Sequence, residues 1–239
     1  MQKVKERAEK AAIALYKYLV YLGGSCVGYY LLKDSEILPW YLGGTGSLQN
    51  CFTNTPFQPQ IKGLLEYSLF LLGYYLEDIV NNLFFRERTS DFWEMNLHHF
   101  LTITLYGGMI CQNFIRPGVI VSWLHSLSDI GTAGSRVLSH TVYSKSTAVS
   151  FILCTIFWFL LRNICIPLLC YNCWLYLEYP PELAEYNNAP KLLTFLLAVL
   201  CCMHVYWLVL FVKMIHKSLR SGVTEDTQRG TIEKPKKVE

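Results

Sequence analysis

Three histidines and one carboxylate, His98, His99, His125 and Asp129, stand in stretches of the chain that are otherwise apolar enough to sit in a bilayer. Ionisable groups are costly at membrane depth and mark functional sites there. A neutral imidazole serves as general base and as nucleophile, and a nearby carboxylate orients it and stabilises its imidazolium form. The set therefore suits acyl transfer. On a helix His125 and Asp129 lie four apart and share a face, so both can point into one cavity. The adjacent His98 and His99 project about 100° apart, which makes them poor joint ligands, and no metal is expected. Arg162, in a later apolar run, either pairs with Asp129 or binds a phosphate or carboxylate. His204 stands by itself on an aromatic face and reads as a hydrogen-bond donor between helices. Interhelical hydrogen bonds are worth only about 1 kcal/mol each in membranes, which explains one buried histidine better than it explains a cluster.

The elements that must hold these groups are apolar helices. The 239 residues are 52% hydrophobic and 15% aromatic, more than a globular surface tolerates. At ~20 residues per crossing, the apolar runs predict an all-α integral membrane protein with six transmembrane helices. A charged N-terminal segment, 1–12, precedes one six-span domain, 13–216, and a polar tail, 217–239. The spans fall at about 13–32, 62–85, 94–112, 117–134, 147–177 and 192–215. The fifth is long enough to tilt or to break at Pro167. Lys17 is expected to snorkel to the interface, and Glu77 and Asp78, near the end of the second span, to reach water. Ser90 reads as the cap of the third helix. The stretch 113–117 reads as a tight turn, with Pro117 opening the fourth helix. The loop 33–60 is rich in Gly, Pro, Asn and Thr, and Trp40 and Tyr41 suit a membrane interface.

Charge sets the orientation. Lys3, Lys5, Arg7 and Lys10, then Arg86 and Arg88, Arg136 and Lys145, and Lys213, Lys217 and Arg220 fall on one side. The other side carries mainly Lys33, Lys62, Arg116 and Lys191, so both termini are expected to face the cytosol. His98 and His99 then lie just inside the cytosolic end of the third span, and His125 near mid-membrane. A formal net charge of +3, spread over the ends and short loops, excludes a nucleic-acid groove. Most of the nine cysteines fall in apolar runs and read as small buried residues. Cys170 and Cys173 have the spacing of half a zinc site, but no second ligand pair matches it. The first apolar run follows a long charged lead without a small-residue cleavage pattern, and Glu6 and Glu9 interrupt the basic residues that a mitochondrial presequence needs.

The run 90–95, Ser-Asp-Phe-Trp-Glu-Met, then His98-His99, Asn113, Arg116, Gly118, His125 and Asp129, resembles the Lag motif of ceramide synthases and the wider TLC-domain family. The likeness extends to the Tyr-rich second span, to Arg162 and Pro167, and to His204, Trp207 and Met214, and covers about residues 10–217. It implies a six-helix TLC-type barrel enclosing a lipid-sized cavity. The activity it implies is transfer of an acyl chain from acyl-CoA, as substrate, to a sphingoid base. His98, His99, His125 and Asp129 would be catalytic, and Arg162, Asn113 and Arg116 would hold acyl-CoA. The family's second block usually reads His-Asp-x-x-Asp, followed shortly by Leu-Glu and a lysine. Here it reads His125-Ser126-Leu127-Ser128-Asp129, so one carboxylate has become a serine, which can hydrogen-bond but carries no charge.

Two functions follow from these residues. One is a ceramide synthase-like N-acyltransferase. The other is a TLC-fold protein without turnover, kept as a lipid-binding or structural subunit of a larger membrane complex such as a respiratory-chain assembly. The end of the chain, Lys236-Lys237-Val238-Glu239, has the spacing of a dilysine retrieval signal, in keeping with the endoplasmic reticulum membrane. The mitochondrial inner membrane is the alternative address.

Overall fold

The computed structural model describes residues 2–86, 88, 90–140 and 144–221. The helices in chain order are α1 (Gln2–Leu32), α2 (Leu64–Phe84), α3 (Phe92–Cys111), α4 (Ile115–Ser139), α5 (Ser144–Leu160), α6 (Ile166–Tyr176) and α7 (Asn188–Ser221). Apart from these, a π-helical turn and a few 3₁₀ turns, the described residues form loops, with a single isolated bridge between Pro39 and Gly46. The helix contacts run in a closed circuit, from α1 to α2, α3, α7, the α5–α6 rod, α4 and back to α1. Helix α4 also reaches α2 and α3 across the bundle.

Among the described residues three stretches, Arg7–Leu32, Thr147–Tyr176 and Asn188–Lys217, are long and apolar enough to cross a membrane. Their outward faces expose large apolar side chains such as Leu19, Ile156, Phe157 and Phe195. The chain is a membrane protein. Helices α2, α3 and α4, of 21, 20 and 25 residues, are also about 30 Å or more in length, but carry the polar groups described below. Where apolar area gives no net drive for helix association, close backbone approach does. At Gly28 on α1 a Cβ atom would stand 2.6 Å from Trp123 Cδ1 and 2.7 Å from the Tyr67 hydroxyl. Only glycine lets α1 settle this closely on α2 and α4.

Helices α5 and α6 are one rod joined by a π-helical turn, Leu161–Cys165. The Ile166 N–H donates to the Leu161 carbonyl, five residues back. Pro167, the next residue, has no N–H to give to the preceding turn. The widened turn absorbs this mismatch, so the rod continues past Pro167 without ending there.

Other expectations are corrected by long-range pairing. Lys17 does not snorkel, and Asp78 does not reach water: they are 7% and 2% exposed, with Lys17 Nζ 2.8 Å from both Asp78 oxygens. Each neutralises the other, which permits burial that neither could bear alone. Pro117 is the third residue of α4, not the first, because Asn113 makes the turn with a left-handed φ of 55°, a conformation asparagine tolerates. Helix α1 begins well before residue 13 and α7 continues past 216, since charged helix ends project beyond the apolar part. The dilysine pair lies outside the described residues.

At the end of the bundle where α1 leads to α2, the loop 33–63 packs over the helix termini. Ser47 caps the 3₁₀ turn Leu48–Cys51, its hydroxyl accepting from Gln49 N. Asn50 Nδ2 donates to Glu36 O at 2.7 Å, and Gln58 Nε2 to Cys51 O at 2.7 Å and Thr53 O at 2.8 Å. Arg116 fastens this loop to α4: Nη1 donates to Glu36 Oε1 at 2.7 Å and Asn50 O at 3.0 Å, and Nη2 to Pro59 O at 3.1 Å.

Candidate functional site

Helices α3, α4 and α7 each direct one histidine to a common point. The rings of His98 and His125 stack at 6.2 Å between centroids, those of His125 and His204 stand 4.9 Å apart, and those of His98 and His204 6.3 Å. All three are buried. His125 Nδ1 lies 2.8 Å from Val121 O, one turn back on its own helix. A carbonyl can only accept, so Nδ1 carries the proton and the Nε2 of neutral His125 is an acceptor. His204 Nε2, 3.1 Å away, is then the donor, and its own Nδ1 carries a lone pair. His98 Nδ1 has no hydrogen-bond partner. Trp207 meets the His98 ring edge-on at 5.2 Å and Trp158 meets His204 at 6.0 Å, closing the cluster on its apolar side.

His99 leaves α3 on a different face, as adjacent helical residues must. Its Nε2 lies 3.4 Å from Asp78 Oδ2. That carboxylate also binds Lys17 and, at 2.7 Å, Arg86, so an acid on α2 gathers an imidazole from α3 and cations from α1 and from the residues just after α2. Asp129 is not beside the His125 ring. One turn further along α4, its Oδ1 accepts from Arg162 Nη2 at 2.6 Å. Arg162 also donates from Nε to Ser128 Oγ at 2.6 Å and from Nη2 to His125 O at 3.3 Å, and lies 4.0 Å over the Trp158 ring. The ion pair, one of the two options the sequence left, is the one the structure adopts. Ser126 faces the other way: a Cβ on Gly24 of α1 would stand 4.0 Å from its Oγ.

His98, His99, His125, Asp129 and Arg162 thus lie in one region, grouped as a histidine trio, a His99–Asp78 contact and an Asp129–Arg162 pair. Asn113 and Arg116 are not there. They sit at the start of α4, with Arg116 about 14 Å along the helix from His125, and bind the loop; Asn113 Nδ2 donates to Pro56 O. Sequence reasoning missed His204 as a member of the trio and Asp78 as the acid at His99. For both, the available signal was the polar residue itself within an apolar run.

A cavity of about 70 Å³ opens beside His125, between α3, α4, α6 and α7. Its lining is mostly apolar, with Leu105, Met109, Phe114, Leu193 and Leu197 among it, and polar side chains come from Thr102, Tyr106, Ser122, His125 and Thr194. This is room for only a few waters, so a long chain must part the helices to enter.

A family model for the TLC domain matches residues 10–213. The chain belongs to the TLC-domain family. This TLC-domain chain is similar to ceramide synthase hyl-1 of Caenorhabditis elegans, with 24% identity over 93% of the chain and 61% of that protein. It is 24% identical to hyl-2 of the same organism, over 95% and 68%, and 27% identical to mouse ceramide synthase 4, over 82% and 51%. The TLC-domain chain therefore spans about half to two thirds of the length of these relatives.

Proposed function

We propose that this protein is a ceramide synthase-like N-acyltransferase of the endoplasmic reticulum membrane, with six spans, both termini in the cytosol and the histidines inside the barrel. The observation that carries the reading is the trio of buried histidines, of which His125 lines a largely apolar cavity, with an unpartnered nitrogen on His98. The likeness to ceramide synthases over most of the chain supports it. His98 takes either the acyl group or the amine proton. By either route the thioester C–S bond breaks, the amide C–N bond forms, and one amine proton passes through imidazole to the departing thiolate. The His125–His204 hydrogen bond holds the neighbouring rings in one tautomer and orientation. Arg162, bound to the His125 carbonyl, fixes the backbone beneath that ring. Asp78 places a negative charge at His99, a role the serine at position 126 cannot fill. Acyl-CoA is the donor, held at the open end of the site.

The test is ceramide formation by the purified protein from acyl-CoA and a sphingoid base. Turnover is expected in the wild type and is lost in His98→Ala and in His99→Ala. Absence of turnover with every acyl-chain length overturns the reading. The commitment of Asp129 to Arg162 favours the second reading, a lipid-binding or structural subunit of a larger membrane complex; co-purification of a stable protein assembly without turnover selects it.

A further inference from the structure

Two cysteines of the apolar helices are matched across a helix seam. Cys170 of α6 and Cys201 of α7 have their thiols in hydrogen-bond contact. A second bond fixes the pairing: Cys170 Sγ donates to Thr194 O at 3.8 Å, and Thr194 stands two turns before Cys201 on the same face of α7. Both thiols are free and only partly buried. The spacing of Cys170 and Cys173 reads as half a zinc site, but the structure divides that pair. Cys173 lines the cavity, whereas Cys170 turns to α7. Two facing thiols have a covalent chemistry of their own, oxidation to a disulfide. The place of the pair gives that chemistry a consequence. Cys173 on α6 and Thr194, Leu197 and Leu200 on α7 belong to the cavity wall. Cys170 precedes Cys173 by about one turn and Cys201 follows Leu200, so the thiols lie on the line where the two helices close the cavity. Its volume of about 70 Å³ admits a chain only when helices part. A bond between α6 and α7 decides whether they part here.

We propose that Cys170 and Cys201 are an oxidation site, joined by a peroxide into a disulfide that staples α6 to α7 and shuts this side of the cavity to chain-like ligands. Hydrogen peroxide is small and uncharged, so it reaches partly buried thiols within apolar helices. One sulfur, as thiolate, attacks a peroxide oxygen and breaks the O–O bond, which gives a sulfenic acid and one water. The other sulfur then displaces the sulfenic hydroxyl, forming the S–S bond and releasing a second water. The two thiols give up two electrons and two protons in all, and the peroxide takes up both. Thiol reductants reverse the bond by exchange. The staple concerns access to the cavity and stands whether or not the histidines turn over.

The experiment treats the purified full chain, in lipid nanodiscs, with hydrogen peroxide and compares it with the same protein re-reduced by dithiothreitol. Digestion without reductant followed by mass spectrometry is expected to give peptides joined through Cys170 and Cys201 after oxidation only. Entry to the cavity is read with a hexadecanoic acid that carries a photoreactive diazirine. Labelling of Met109 and Leu197, which line the cavity, is expected to fall about tenfold on oxidation, while labelling of Phe195 on the outward face stays constant. In peroxide, Cys170→Ser and Cys201→Ser are expected to keep the labelling of the reduced wild type. Oxidation that links Cys170 to Cys173, or that carries both thiols to sulfinic acid without a cross-link, overturns the staple. A complete cross-link that leaves Met109 and Leu197 labelled as before overturns the closure, and so does a re-reduced protein in which they are never labelled. Oxidised and re-reduced wild type decide between these outcomes even where a serine variant fails to fold.

Discussion

Arg116 and Arg162 are both buried, at 5% and 2% exposed, both hold a carboxylate, and in the sequence both stand as candidates for binding acyl-CoA. Their surroundings differ. Arg116 gives two of its hydrogen bonds to loop carbonyls, and its acid, Glu36, is 58% exposed. Arg162 binds Asp129, Ser128 and the His125 carbonyl, all on α4, and stacks on Trp158. Its acid is only 16% exposed. The first arginine fastens a loop to a helix end, and the second braces the backbone of a site residue. Burial of the cation does not separate the two roles; the burial and position of its partners do.

The contrast is broken most forcefully at Arg162. Arg162→Met leaves Asp129 buried without its counter-charge, a change expected to destabilise the fold by about 3–5 kcal/mol, read as a fall in thermal unfolding temperature of the purified protein. Removing the acid as well, in the double variant with Asp129→Asn, should recover a large part of the loss. Equal destabilisation by the single and double variants would show that Arg162 acts through packing on Trp158 and not through its charge.

This distinction was beyond the reach of sequence alone. Helix existence was plain, because each of the rods contains an apolar run, and the divergence of His98 from His99 followed from helical geometry. Pairings were not plain. Lys17 and Asp78 are 61 residues apart, and His125 and His204 are 79 apart; nothing local in the chain links them. Asp129 shares a face of α4 with His125, and its pairing with Arg162 was one of two options open in the sequence; the structure adopts it, with the π turn before Pro167 presenting Arg162 from the neighbouring rod. The acid nearest His99 comes from α2, where its position near a helix end made exposure the simpler expectation.

At Arg116 a smaller effect is expected. Arg116→Met leaves the Asn50 and Pro59 carbonyls without a donor, a cost of about 1–3 kcal/mol, and loosens the loop 33–63. Cys51 reports the change: it is 1% exposed, and burial pushes its thiol up to about 12, outweighing the opposing influence of Arg116. The native thiol should therefore resist maleimide at neutral pH, where almost none of it is thiolate. In Arg116→Met the peptide carrying Cys51 should become labelled, as mapped by mass spectrometry. If Cys51 stays protected, the loop is held by its own hydrogen bonds and Arg116 is not its fastener.

The smallest effect is expected at the acid of that same arginine. Glu36→Gln removes a charge but keeps an oxygen able to accept from Arg116 Nη1, at a side chain already largely in water. Exposed ion pairs contribute about 0–1 kcal/mol, and the two carbonyl bonds of Arg116 remain, so the unfolding temperature should barely move and Cys51 should remain protected. Raising the salt concentration should erase whatever difference there is, since water screens the Glu36 side of the pair. Asp129→Asn is the matched substitution at the other arginine, where the carboxylate is buried and screening is weak. A Glu36→Gln loss as large as that of Asp129→Asn, and insensitive to salt, would mean that partner exposure does not distinguish the two arginines.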